Sequence, residues 1–242
     1  MTVINTYNET HLHRTLKKIY ALEFNGQTEQ KSGSYIFDIV TEDKNVIEIQ
    51  TSNISALKNK IKYVLKEGRK ITVVHPVIEQ KIIKTYSVDG TVCTERKSPR
   101  KESVYSVLRS LTGIYDLLTV PGFTLELVFV NLTEIRQKAE EKVQTKNKAR
   151  RHLRDWLVAD KQLTTINSKK IFRTKEDYKT LLPATLPREF TPPQLQALFT
   201  KQKEKEGAKY HKLLIWLLEK MGIIKNTGKK QGRSWLYSVC KN

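Results

Sequence analysis

Two carboxylic acids stand where a buried strand would ordinarily hold none. Asp38 lies in the run Phe37-Asp38-Ile39-Val40, and Glu48 in Val46-Ile47-Glu48-Ile49-Gln50-Thr51. The apolar and β-branched content of both runs marks strands of a buried sheet. A carboxylate on such a strand costs free energy unless it is paired, hydrogen-bonded or holding a metal. Asp38 and Glu48 are therefore candidates for chemistry. Converging on one face, they would make a hard oxygen site suited to Mg²⁺ or Mn²⁺. A metal there lowers the pKa of bound water and stabilises charge at a phosphodiester. The competing reading is a solvent-facing hairpin that carries two acidic residues by chance.

Strand phase separates the two readings. On the second strand Glu48 and Gln50 share one face, and Ile47 and Ile49 share the other. An odd number of loop residues puts Asp38 across from Glu48 or Gln50. An even number puts it across from Ile49 and separates the carboxylates unless a bulge intervenes. A metal site thus requires an odd loop or a bulge.

Several elements must position this pair. Asn8 is placed to cap a helix in which Leu12, Leu16, Ile19 and Tyr20 recur at helical spacing, ended by Gly26. The hairpin, residues 35–40 and 46–51, follows. Asn53 or Ser55 caps a second helix with the apolar stripe Ile54, Leu57, Ile61, Val64 and Leu65, closed by Gly68. Residues 71–77 read as a buried strand, 82–87 as a further short strand and 124–132 as another buried strand bearing Glu126. Ser103 is placed to cap a helix through Leu111. Residues 134–155 are charge-dense and read as a solvated helix or a loop, with 156–172 returning as a hairpin. The order helix, strand, strand, helix, strand indicates a mixed α/β core.

The charge is uneven. The net is +19 with a pI of about 9.8. Residues 1–132 carry 18 Lys and Arg against 14 Asp and Glu, whereas residues 133–242 carry 26 against 11. A concentrated positive half attracts polyanions, and nucleic acid is the first partner to consider. Basicity reports phosphate and not sugar, so DNA and RNA are both open on this ground. No stretch approaches the roughly 20 apolar residues of a membrane helix, and no membrane partner is expected. Residues 1–8 are polar and lack a signal-peptide pattern. Cys93 and Cys240 lie far apart without metal-like spacing and read as reduced thiols of a cytoplasmic protein.

The order of a helix with Glu9, a strand with Asp38, a strand with Glu48-Ile49-Gln50, a helix and a strand resembles the core of the PD-(D/E)XK nuclease superfamily, the restriction-endonuclease-like fold. Residues 9–17 and 48–60, with Val73-Val-His-Pro-Val77 and Lys97-Ser-Pro-Arg100, are similar to an uncharacterised prokaryotic family of that class. The resemblance implies a metal held by Asp38 and Glu48, with Glu9 of the first helix assisting. It also implies a lysine two residues after the glutamate to position or activate water. Gln50 stands there instead, and an amide carries no charge and exchanges no proton near neutral pH. Lys58 and Lys60 on the next helix are the available substitutes, with His11 and His13 able to approach from the first helix. Nucleases of this fold commonly pair to cut both strands, so the resemblance extends to a homodimer.

After a linker over residues 180–187, Thr191-Pro192-Pro193 opens a helix. A basic connector and an amphipathic helix over 208–221 follow, with Leu213, Leu214, Leu217 and Leu218 inward. Two strands then flank a glycine-rich turn. This part resembles a winged helix. Its expected phosphate contacts are Lys229, Lys230 and Arg233 of the turn at residues 228–233, with Lys209, His211 and Lys212 facing a major groove. Expected boundaries are a nuclease-like domain over 1–180 and a nucleic-acid-binding domain over 181–242. The function so implied is Mg²⁺- or Mn²⁺-dependent cleavage of DNA. Alternatives are a DNA-binding or regulatory protein that kept the fold and lost the chemistry at Gln50, and an RNA-directed or toxin-like nuclease.

Overall fold

The computed structural model describes residues 10–144 and 153–240. Its centre is a seven-stranded mixed sheet. The strands are β1 (Gln27–Ser32), β2 (Tyr35–Val40), β3 (Val46–Ile49), β4 (Ile71–Tyr86), β5 (Val92–Lys97), β6 (Phe123–Val143) and β7 (Arg154–Phe172). They run in the order β1-β2-β3-β4-β6-β7, with β5 paired to the far half of β4. The pairs β3–β4 and β4–β6 are parallel; the others are antiparallel.

Helices cover both faces. On one face lies α1 (His11–Glu23), whose Leu12, Leu16 and Tyr20 fall four apart and pack on Ile39, Ile47, Ile49, Val74 and Val128. Thr10 caps it by accepting a hydrogen bond from the His13 N–H. Asn8, expected as the cap, lies outside the described residues. On the other face a 3₁₀ turn (Ile54–Leu57), capped by Asn53, leads into α2 (Lys58–Lys66). Ile54, Ile61 and Val64 meet Phe37, Val46, Val73, Leu125 and Leu127 there.

Two expectations about strands change, and one strand was not expected. Residues 71–77 and 82–87 are one strand, β4, with a register shift between Ile78 and Gln80. Pro76 is tolerated because β3 pairs β4 only as far as Val74, so no partner waits for the missing N–H. Of residues 134–155, expected as helix or loop, 134–143 belong to β6 and 154–155 to β7, while 145–152 lie outside the described residues. The described part is a ribbon held by backbone bonds, so charged residues on its faces need not disrupt it. Cross-strand contacts support it: the Arg136 guanidinium lies 3.6 Å from the Trp156 ring centroid, and Arg136 and Lys81 both bond the buried Glu134. The polar strand β1 had no apolar alternation to announce it.

The chain then passes through α3 (Leu108–Leu111), bracketed by 3₁₀ turns and capped at Ser103, which lies between β5 and β6. After β7 come α4 (Lys175–Lys179), β8 (Glu189–Phe190), α5 (Pro192–Lys201), α6 (Lys205–Lys220), β9 (Ile224–Gln231) and β10 (Ser234–Val239). The last three strands form a second sheet in the order β8-β10-β9. Thr191 and Gln194 form a reciprocal capping box at the start of α5. One apolar core runs from β2, α2 and β6 through Leu195 and Phe199 to Leu214, Leu217 and Leu218. Tyr105 meets Phe199 edge-on at 5.0 Å, and Tyr115 meets Trp216 at 5.6 Å.

Gly207 marks how tightly this packing is drawn. A Cβ there would stand 2.7 Å from Phe199 Cδ1 and 2.9 Å from Glu204 Cγ. Gly207→Ala gains about 1 kcal/mol of helix propensity. It meets an overpacking cost of about 1–3 kcal/mol. We expect a net loss of stability, read as a lower urea midpoint; a higher midpoint would show that Phe199 gives way freely.

Candidate metal and phosphodiester site

The β2–β3 register is set by Ile39↔Ile47 and Val40↔Val46, which leaves five loop residues, 41–45. The loop is odd, and continuing the register places Asp38 opposite Glu48. At that step backbone pairing gives way to the carboxylates. The Asp38 N–H donates to Glu48 Oε1 at 3.2 Å, and the Ile49 N–H donates to Asp38 Oδ2 at 2.9 Å. Each acid thus occupies the seam by taking an N–H of the opposite strand.

The neighbouring edge explains why the seam opens. β1 pairs β2 at Thr28↔Ile39 and Gln30↔Phe37 but skips Glu29↔Asp38, where Glu29 has φ 55°. Such a φ is unusual for a glutamate. Lys17 of α1, itself buried, holds Glu29 at 3.0 Å. Across this kink Phe37 joins the α2-side core and Ile39 the α1-side core, although a regular strand would send both the same way. Asp38 sits at the crossover.

Two bases complete the cluster. Lys60 of α2 reaches Glu48 Oε2 at 2.8 Å and the Ile36 carbonyl at 2.7 Å. His13 Nε2 of α1 lies 3.4 Å from Asp38 Oδ2. Glu48 is 3% exposed. Burial and the adjacent Asp38 charge push its carboxyl up to about 7, against the pull of Lys60. Burial acts to raise Asp38 as well, but His13, the Ile49 N–H and Lys60 outweigh it and hold Asp38 below the usual carboxylate range. One fold position thus keeps one acid ionised and the other near neutrality.

The remaining expected residues divide. Gln50 follows on the strand end, but its Oε1 accepts from the Ser52 N–H and Oγ, turned along its own loop. Lys58 pairs with Asp116 at 3.0 Å and is drawn away. The His11 ring bonds Thr15, not the acids. Glu9 lies outside the described residues. Glu126 is satisfied on the α1 face by the Tyr20 hydroxyl and by Lys169 at 3.4 Å. Lys17 and Glu29 went unread as site neighbours; the signal for Lys17 was its position four residues after His13 on one flank of the helix.

In the C-terminal part Lys209, Lys212, Lys229, Lys230 and Arg233 are exposed. Lys230 stacks over Trp235 at 4.5 Å. His211 corrects the expectation of a groove-facing residue: it is buried, and its Nδ1 is 2.7 Å from the Ala208 carbonyl. Lys205, Lys209, Lys212, Trp216 and Lys220 are the exposed residues of α6, because Leu214, Leu217 and Leu218 bury the other side.

The sequence model described as "Domain of unknown function (DUF8091)" matches residues 10–173, about two thirds of the chain. The chain belongs to the DUF8091 family. The DUF8091 match takes in α1 through β7, and so every residue of the carboxylate cluster, and stops just before α4. An uncharacterized protein of Treponema pallidum (strain Nichols) is 30% identical over 187 residues, covering 77% of this chain and 71% of that protein. No solved structure matches. Among the described residues no helix is long and apolar enough to cross a membrane. No group of three or more His, Cys, Asp or Glu residues gathers to hold a metal among them either.

Proposed function

We propose that this protein is a metal-dependent phosphodiesterase acting on DNA, built on a PD-(D/E)XK-like core with a winged-helix-like C-terminal part. The observation that carries the reading is the seam at Asp38 and Glu48, closed by Lys60 at 2.8 Å. The lysine expected two residues after the glutamate is supplied from α2. Gln50 alone would favour a non-catalytic DNA-binding protein, and Lys60 is the observation that weighs against it.

The donor set fits Mg²⁺ or Mn²⁺. It offers two hard carboxylates, one of which burial and its neighbour push up to about 7 against the pull of Lys60. Mg²⁺ commonly binds through one or two carboxylates and completes its shell with water and substrate phosphate, so a third protein acid is not required. Asp38 and Glu48 would hold the ion, which when bound supplies a more acidic water and charge stabilisation at phosphorus. Lys60 holds the Glu48 carboxylate in the seam and adds positive charge beside the phosphodiester. His13 orients Asp38. The Asp38 and Ile49 N–H groups fix both carboxylates before any ligand arrives.

The order α4, β8, α5, α6, β9, β10, with β10 central in its sheet, supports the winged-helix reading. The β9–β10 turn would be the wing and the exposed stripe of α6 the groove-facing side. Removing Lys229, Lys230 and Arg233 in one variant should weaken binding of all duplex sequences alike and reduce the slope of log K against log salt by about 3, roughly one per phosphate contact. An unchanged slope in fluorescence anisotropy would remove the wing from the interface.

A further inference from the structure

A second polar concavity lies beside this centre. A cavity of about 460 Å³ has Ser52, His75, Arg100, Glu102, Arg109 and Ser110 in its lining, where the β3–α2 connection, β4 and α3 meet. That volume falls among those of small-molecule sites, about 300–1,000 Å³.

His75 makes the cavity more than a crevice. It is 9% exposed, and its Nδ1 donates to the Gln50 carbonyl. That bond fixes the tautomer and leaves Nε2 as a bare acceptor. Nε2 has no hydrogen-bond partner among the described residues. Nε2 keeps contact with solvent beside the cavity, so it is open to a ligand or water that donates there. Burial pushes His75 down to about 4, so the ring is neutral at physiological pH and can only accept on this side.

The cations are similarly available. Arg100 Nη2 stands 4.0 Å from Glu102 Oε1, a loose pair, while Glu102 Oε2 is held by the Ile78 N–H at 3.1 Å. Arg109 is exposed and has no ion pair among the described residues. A free phosphate would suit the guanidinium groups. It would not suit a lone pair on Nε2, which asks for an N–H or O–H nearby.

We propose that this cavity is a nucleotide subsite, with Arg100 and Arg109 taking a phosphate and His75 Nε2 accepting a hydrogen bond from an amino or hydroxyl group of the attached nucleoside. The inference rests on the nucleic-acid reading above, since a strand at the carboxylate centre could leave one nucleotide here; a free nucleotide carries the same chemistry. Gln50 joins the sites, two residues beyond Glu48 and bonded to Val74 and His75 through its backbone.

Calorimetry on the full chain tests this with inorganic phosphate, a 5′-mononucleotide and a short single-stranded oligonucleotide. The variants are Arg109→Ala and His75→Asn. Asparagine places an N–H close to the position of Nδ1, so donation to Gln50 survives while Nε2 is lost. Arg109→Ala should weaken phosphate and mononucleotide alike, and His75→Asn should weaken the mononucleotide about tenfold while leaving phosphate unchanged, the size of one good hydrogen bond. An oligonucleotide bound more tightly than the mononucleotide, with the same sensitivities, names the strand as the source; the reverse order names the free nucleotide. Absence of mononucleotide binding, or binding indifferent to Arg109→Ala, overturns the subsite whether or not His75→Asn folds. Nucleotide binding without metal-dependent cleavage overturns the phosphodiesterase reading alone, and cleavage without nucleotide binding overturns the subsite alone.

Discussion

Glu48→Gln should abolish metal-dependent cleavage while leaving the fold as stable as before, or more stable. An amide is nearly the shape of the acid and can still accept from the Asp38 N–H and leave Lys60 its Ile36 carbonyl. It cannot supply the charge that a divalent cation needs. Loss of a metal-holding carboxylate should lower the single-turnover rate about 10³-fold or more, roughly 4 kcal/mol of barrier. The stability argument has the opposite sign. The folded pKa of Glu48, about 7, lies above its ordinary value of 4.5. Its contribution to stability is therefore full below about pH 4.5 and is lost as pH rises through about 7. The glutamine variant should lack that decline, and at pH 8 its urea midpoint should equal or exceed the wild type. A residue kept only for structure would lower the midpoint. Asp38→Asn should lose cleavage to a similar degree for want of the charge, with the fold retained because the amide still accepts from the Ile49 N–H.

Lys60→Met should be the most destabilising change at the site. Lys60 is mostly buried, and its ammonium is the cation bonded to Glu48. Removing one partner of a buried pair costs about 3–5 kcal/mol when the other is left charged. Glu48 can take up a proton instead, so the expected loss at pH 8 lies at or below the lower end of that range. The double variant Glu48→Gln/Lys60→Met should recover most of it, because the stranded charge is gone. Additive losses in this double-mutant cycle would mean that the 2.8 Å contact contributes little. Cleavage should fall in the single variant and stay low in the double, since neither restores the charge arrangement.

The carboxylate pair was legible because charge in an apolar run is a strong local signal. Its phase followed from strand geometry, and the five-residue loop meets the odd-loop requirement. Lys60 was legible only as a candidate, since helix spacing gives no distance to a neighbouring strand; the 3₁₀ turn at Ile54–Leu57 sets where α2 begins and hence where Lys60 points. The kink at Asp38 left no sequence signal. It depends on Glu29, in a polar strand without apolar alternation, and on Lys17, at the flank of α1. The long ribbon of β6 and β7 was hidden for another reason. Periodicity reports a buried face, and a ribbon supported by backbone bonds and by Arg136 over Trp156 has little of one. His211 misled because a polar residue in a basic stretch looks exposed, whereas its ring bonds its own helix at Ala208 and faces the core.

The central claim is that Asp38 and Glu48 form a metal centre for phosphodiester cleavage. Single-turnover incubation of the full chain with labelled duplex, single-stranded and branched DNA, in Mg²⁺ or Mn²⁺ and again in excess chelator, tests it most directly beside Asp38→Asn. We expect cleavage of at least one substrate that needs the metal and disappears in Asp38→Asn, with DNA affinity retained. Binding of every substrate without metal-dependent cleavage, or cleavage that survives Asp38→Asn, would contradict it.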